Sequence, residues 1–124
     1  MKACVFCTIV RGEKSAQIVS SSEHFIAFKD THPVVPGHTL IIPKKHYVTF
    51  LDIPTSLSEE FVAFAKSVAS ELLESKKGDG FNFVMNNLPA AGQEVPHAHM
   101  HVIPWKEGDG IRFLTKESTG SGEN

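Results

Sequence analysis

The sequence is compatible with an α+β domain. Five extended stretches rich in β-branched and aromatic residues are separated by turn-forming residues, and one amphipathic helix stands between the third and the fourth. At 124 residues with 41% hydrophobic content the chain fits one domain with a modest core. That domain is expected to span 1–114, with 115–124, rich in Ser, Gly, Thr and Glu, as a disordered tail.

Residues 4–11 are expected as a short helix presenting Cys4 and Cys7 on one side, because residues three apart share a helix face. The pair is open to three readings: two small side chains in a core helix, half of a zinc site, or a redox pair. Stretches 17–20 and 24–29, joined by Ser21-Ser22-Glu23, read as a hairpin with His24 at the surface. Residues 30–37 form a loop, since Pro33, Pro36 and Gly37 break regular structure. Asp30, at its start, either caps a turn or accepts hydrogen bonds from ribose hydroxyls.

Stretch 38–43 is β-branched and apolar, a buried strand that His38 opens and Pro43 ends, and His46 follows on a charged loop with Lys44 and Lys45. Leu57, Phe61, Phe64, Ala65, Val68, Leu72 and Leu73 recur at helical spacing, with a capping box in Ser56-Leu57-Ser58-Glu59 and a stop at Gly78. This helix is scaffold. A strand over 81–86 and a loop over 87–95 follow, and the loop's backbone N–H groups and Gln93 can face an anion.

Three of the seven histidines stand at alternate positions in Pro96-His97-Ala98-His99-Met100-His101-Val102-Ile103-Pro104. On a strand His97, His99 and His101 share one face, roughly 6.5 to 7 Å apart at Cα, and Ala98, Met100 and Val102 fill the other. That spacing lets imidazoles converge on one metal ion or one phosphate. The metal reading joins His38 to the three, but the neighbourhood offers only Glu94 as a supporting carboxylate. The alternative makes His99 a nucleophile that attacks phosphorus to form a phosphoramidate. Its other nitrogen must then donate to a fixed acceptor, while His97, His101 and His38 share donation to the phosphoryl oxygens and protonation of the leaving group.

A formal net charge of −2 without a long Lys/Arg run argues against a duplex nucleic-acid binder, though a mononucleotide needs no basic patch. No segment approaches the ~18 apolar residues of a membrane span. Residues 1–11 carry too short an apolar run and no cleavage pattern for a signal peptide, so the expected location is cytoplasmic, with a nuclear or organellar pool open.

The stretch His97-Ala98-His99-Met100-His101-Val102-Ile103 resembles the alternating histidine signature of the histidine triad (HIT) nucleotide hydrolases and transferases. Supporting segments lie in the matching order: Cys4-Val5-Phe6-Cys7, Phe28-Lys29-Asp30, Gly37-His38 through Lys44-Lys45-His46, Asn86, Gly92-Gln93 and Pro104. The resemblance covers about residues 3–114 and is nearest to the branch of nucleoside phosphoramidate hydrolases. It implies an α+β HIT-like fold with a five-stranded antiparallel sheet, one long helix and a short N-terminal helix, the sheet continuing across a homodimer. It also implies a purine nucleoside monophosphate site, with Asp30 on the ribose, Phe28 and Ile26 around the base, and Asn86, Gly92 and Gln93 near the phosphate. His99 becomes the transiently nucleotidylated nucleophile, with His101, His97 and His38 completing the network. A structural zinc held by Cys4, Cys7, His46 and His97 is implied as well, with no metal required for the chemistry.

Two positions depart from the pattern. Glu94 stands where animal phosphoramidases carry a phosphate-binding Ser, so its carboxylate points away or meets the leaving group's amine, and Trp105 stands where microbial relatives often carry Arg. The expected activity is hydrolysis of purine nucleoside 5′-phosphoramidates through a nucleotidyl-histidine. The rivals are a dinucleoside polyphosphate hydrolase, a nucleotide-binding regulatory module with little catalysis, and a metal-dependent hydrolase.

Overall fold

The computed structural model describes residues 4–110; the expected apolar stretch at 111–114 and the tail at 115–124 lie outside the described residues. The regular elements are α1 (Val5–Val10), β1 (Ile18–Ser21), β2 (Phe25–Lys29), β3 (Thr39–Pro43), α2 (Ser58–Glu74), β4 (Gly80–Val84) and β5 (Met100–Trp105). The strands make one antiparallel sheet in the order β1-β2-β3-β5-β4. β2 and β3 are central and covered on both faces, which is why they read as continuous apolar runs and not as alternating ones. Among the described residues no helix is long and apolar enough to cross a membrane.

Strand alternation divides the side chains between two packing layers. Phe25, Ala27, Ile41, Met100 and Val102 pack with Phe64, Val68 and Leu72 of α2. Ile26, Phe28, Leu40 and Ile42 turn to the other face and pack with Phe6 and Ile9 of α1. α2 spans 17 residues and α1 only six, so the short helix leaves part of its face of the sheet open.

Three local expectations are corrected. The 3-10 turn Thr55–Leu57 runs directly into α2, so Ser56 lies inside helical backbone and the helix has no side-chain cap; the capping box instead forms between Thr49 and Asp52. α2 ends at Glu74 through Lys76 in the left-handed region, φ 65°, with the Lys77 N–H bonded to Leu72 O at 2.9 Å. Gly78 serves a different need, because a Cβ there would lie 2.8 Å from Cβ of Pro104. Leu73, counted with the apolar face, is exposed.

The histidine stretch is also less regular than strand alternation predicts. β5 begins at Met100, so His101 alone of the three lies in the sheet. β3 pairs with β5 only over Thr39–Ile41. Before Met100 the chain turns to the loop that follows β3, where the Ala98 N–H bonds Tyr47 O at 2.7 Å and the buried His97 ring reaches Pro43 O. All three imidazoles nevertheless remain on the α1 side of the sheet: Phe6 touches His97 and His99 edge-on, and the His99 and His101 rings are 5.2 Å apart.

Candidate active site

The open part of the α1 face is a cleft of about 590 Å³. Phe6, Ile9, Phe28 and Leu40 line it with apolar surface, Asp30 and His38 stand at the end of β2 and the start of β3, and His99, His101, Asn86, Gly92 and Glu94 complete the polar wall. His97, Ile26 and Gln93 are not part of that lining. Ile26 is buried in the α1 layer. Gln93 spends its side chain on backbone, tying its own loop to the one after β3: Oε1 accepts from Leu88 N–H at 2.6 Å, and Nε2 donates to Val95 O at 3.0 Å and to Val48 O at 2.6 Å. Gly92, at φ 94°, turns the loop beside the Asn86 side chain.

The partners of each ring nitrogen assign the tautomers. His99 Nδ1 lies 2.8 Å from the carbonyl of His97, an acceptor only, so Nδ1 carries the proton and Nε2 keeps its lone pair. His38 Nδ1 accepts the backbone N–H of Val34 at 3.0 Å, so the His38 proton sits on Nε2. That proton is donated to Nδ1 of His101 at 2.9 Å, which leaves His101 with an N–H at Nε2. Asp30 is shared: Oδ1 caps the turn on His32 N–H at 2.9 Å and Oδ2 lies 3.4 Å from His38 Nε2. Burial pushes His101 down to about 4, helped by His99 and His38 and opposed by Asp30. Burial also lowers His38, again against the pull of Asp30. The relay Val34–His38–His101 is therefore neutral at pH 7 and presents a hydrogen-bond donor beside a nucleophilic lone pair.

A second cluster adjoins the cleft. Cys4 and Cys7 of the α1 turn, His46 and His97 bring four donor atoms within 4.8 Å of one another. Cys4 caps α1, its sulfur accepting the Cys7 N–H, so the helix start and the donor set are one structure. The S···N separations are 3.4 Å for Cys4 to His97, 3.3 Å for Cys7 to His46 and 3.6 Å for Cys7 to His97. A tetrahedral zinc with its usual bond lengths gives an S···N edge of about 3.5 to 3.6 Å. His97 Nε2 donates to Pro43 O at 2.9 Å, which turns the Nδ1 lone pair toward the sulfurs. Burial and the neighbouring Cys4 raise the Cys7 thiol, a cost that a dication in the middle removes. The donors fit a structural zinc, and four protein ligands leave no open position for chemistry.

Asp30, His38 and His101 also bring three donors within 4.8 Å of one another. There the tautomers oppose a metal, because His38 Nε2 holds its proton as long as Nδ1 accepts from Val34. Trp105 lies off the cleft and donates Nε1–H to Asn82 Oδ1 at 2.6 Å across β4 and β5. The residues that sequence reasoning overlooked act mainly through the backbone: the Val34 N–H, the Pro43 carbonyl and the His97 carbonyl. Phe6, Ile9 and Leu40 are overlooked side chains of the lining, and the place of Phe6 between the two cysteines was a usable signal.

The HIT domain matches this chain over residues 11–108. A HIT-like protein of Methanocaldococcus jannaschii is 47% identical over 109 residues, 86% of this chain and 82% of the relative. Adenylylsulfatase HINT3 of Arabidopsis thaliana is 38% identical over 106 residues, 86% of this chain and 54% of that protein. Among solved structures, a zinc-bound histidine triad family protein of Mycobacterium smegmatis superposes with a TM-score of 0.83 at 38% identity, covering 90% of this chain and 81% of that one.

Proposed function

The chain belongs to the HIT domain family of nucleotide hydrolases, and from that premise we propose that it hydrolyses purine nucleoside 5′-phosphoramidates to the nucleoside monophosphate and an amine. The observation that carries the reading is the pinning of His99 Nδ1 to the His97 carbonyl, which leaves Nε2 as a lone pair in the cleft next to the His101 donor. In the first displacement the Nε2–P bond forms and the P–N bond to the amine breaks. The departing nitrogen takes a proton from solvent as the P–N bond breaks; in the second displacement water attacks phosphorus, the Nε2–P bond breaks and a proton returns to solvent, so that over both steps one water gives its hydroxyl to phosphorus and one proton to the amine. His101 Nε2–H donates to the reacting phosphoryl group, and His38 holds His101 in that tautomer.

The nucleoside takes the apolar end, with the base against Phe28 and the Asp30 carboxylate on the ribose, and Asn86 and Gly92 stand near the phosphate. The backbone at Gln93 belongs to the same loop; its side chain braces that loop, and Ile26 supports Phe28 from the packed layer. Cys4, Cys7, His46 and His97 hold a structural zinc, which ties α1 to the loop that carries His99. A homodimer formed at the β4 edge is supported by the exposed apolar side chains that this strand carries, Phe81 and Phe83.

The test is mass spectrometry of the full chain quenched with adenosine 5′-phosphoramidate, where an adenylyl adduct on His99 is expected. His99→Ala is expected to lower turnover by about 10⁴-fold, and near-normal turnover of that variant overturns the reading. A second reading, cleavage of a phosphate anhydride, is favoured by the Arabidopsis relative's name, adenylylsulfatase. Competition of the phosphoramidate against adenylyl sulfate and diadenosine polyphosphates decides between them.

A further inference from the structure

We propose that Glu94 selects the leaving group, favouring a cationic amine over a neutral one and a neutral one over an anionic one. The inference rests on the phosphoramidate reading above and adds to it the chemical class of the amine.

Besides its histidines, the cleft is lined by three charged side chains, Lys14, Asp30 and Glu94. Asp30 is engaged with the His32 N–H and with His38. Lys14 belongs to the apolar end, two residues before Ala16, which packs with the α1 layer. Glu94 lies on the loop between Gly92 and Val95 that leads to His99, on the wall that also carries Asn86. Its carboxylate is exposed, and among the described residues it has neither a hydrogen bond nor an ion-pair partner. A carboxylate with no hydrogen-bond or ion-pair partner among the described residues therefore stands on the wall of the cleft that His99 also lines.

The cleft of about 590 Å³ is comparable in width with the screening length of about 8 Å at physiological salt, so within it this charge acts on the leaving group without direct contact, though weakened by salt. The α-phosphate is common to every substrate and is repelled equally in all of them. What differs between substrates is the charge that departs with the amine. A cationic amine is attracted toward Glu94, a carboxylate-bearing one is repelled, and the order of kcat/KM follows that sign.

Three adenosine 5′-phosphoramidates of similar size test this, with ethylenediamine, propylamine and β-alanine as the amine. For the full chain the expected order of kcat/KM is ethylenediamine, then propylamine, then β-alanine, with steps of about fivefold that shrink as salt is raised. Glu94→Gln keeps the size and hydrogen-bonding capacity of the side chain and is expected to compress the series to within about twofold, and Glu94→Lys to invert it. The same compounds are compared as ligands by calorimetry, which reads Glu94 whether or not the P–N bond is broken. A flat series in the wild-type chain, or an order that survives Glu94→Gln, overturns the proposal. Absence of turnover on all three with the charge order intact in binding supports the role of Glu94 and overturns the phosphoramidase reading instead.

Discussion

On the α1 face of the sheet, Cys4, Cys7, His46 and His97 gather four donor atoms, and Asp30, His38 and His101 gather three within the same span. By residue type alone, both are metal-ligand sets. They differ in which nitrogen the backbone holds. In the first, the Pro43 carbonyl takes the Nε2–H of His97 and leaves the Nδ1 lone pair pointing at two thiols. In the second, the Val34 N–H occupies Nδ1 of His38 and forces the proton onto Nε2, so the atom facing the cluster is a donor. A carbonyl in one place and an amide in the other separate a site that accepts a cation from one that presents a proton. The two clusters are joined at one residue: His97 gives its ring to the donor set and its carbonyl to His99.

The sharpest way to break that division is to remove a thiol. Cys4→Ser keeps an N-cap acceptor for the Cys7 N–H but is expected to release the metal, lowering stability by on the order of 3 kcal/mol, read as a fall of about 10 °C in Tm. Activity should fall less than in His99→Ala, because the His97 carbonyl that orients His99 is backbone and survives the substitution. Metal content, thermal unfolding and turnover measured on one preparation check this. Full metal occupancy in Cys4→Ser removes the first half of the comparison.

The complementary change acts on the relay. His38→Ala deletes the donor to His101 Nδ1, so His101 is free to carry its proton there and to turn a lone pair toward the substrate. Turnover is expected to fall about 100-fold with metal content unchanged. A loss of metal in this variant would mean that the two clusters are not independent. An unchanged rate would mean that His101 needs no partner to keep its Nε2–H.

The parts of this arrangement that could be read from the sequence are those that depend on residue type and spacing. Leu57 to Leu72 gave the long helix, the β-branched run at 39–43 gave the central strand, and alternate histidines placed three imidazoles on one side. What could not be read is what irregular backbone decides. Strand alternation put His97, His99 and His101 in equivalent positions, whereas the chain leaves the sheet before Met100 and sends His97 away from the cleft. Gln93 looks like an anion ligand by residue type, but its amide fits two backbone groups of its own loop, at Leu88 and Val95, and a third at Val48 in the loop after β3. His24 lies at the surface as its position suggests, its side chain 44% exposed, but nothing in the sequence announces that its N–H and ring both bond Glu60. Such contacts depend on which carbonyl or amide arrives opposite a side chain, and no local period in the sequence encodes that.

The smallest expected effects are on the pH dependence of stability, and they separate the cleft from the rest of the fold. His101 is held near 4, and His97 and His38 are lowered in the same direction by burial. Below its ordinary value of 6.5 the unfolded chain binds a proton that folded His101 refuses, so stability is complete above about 6.5 and declines as pH falls toward 4. Glu60 lies in another layer, where hydrogen bonds from Ser22, the His24 N–H and the His24 ring hold its carboxyl down at about 2. Its contribution is intact above the ordinary value of 4.5 and is lost as pH falls from there toward 2. Urea unfolding from pH 8 to pH 2 should therefore show two successive declines. His101→Asn reduces only the upper one, to which His38 and His97 still contribute, with the shared metal contribution cancelling in the difference from wild type, and Glu60→Gln reduces only the lower one. If Glu60→Gln altered the decline between 6.5 and 4, the β1–β2 turn and the cleft would be titrating as one unit, and the separation of the layers would have to be abandoned.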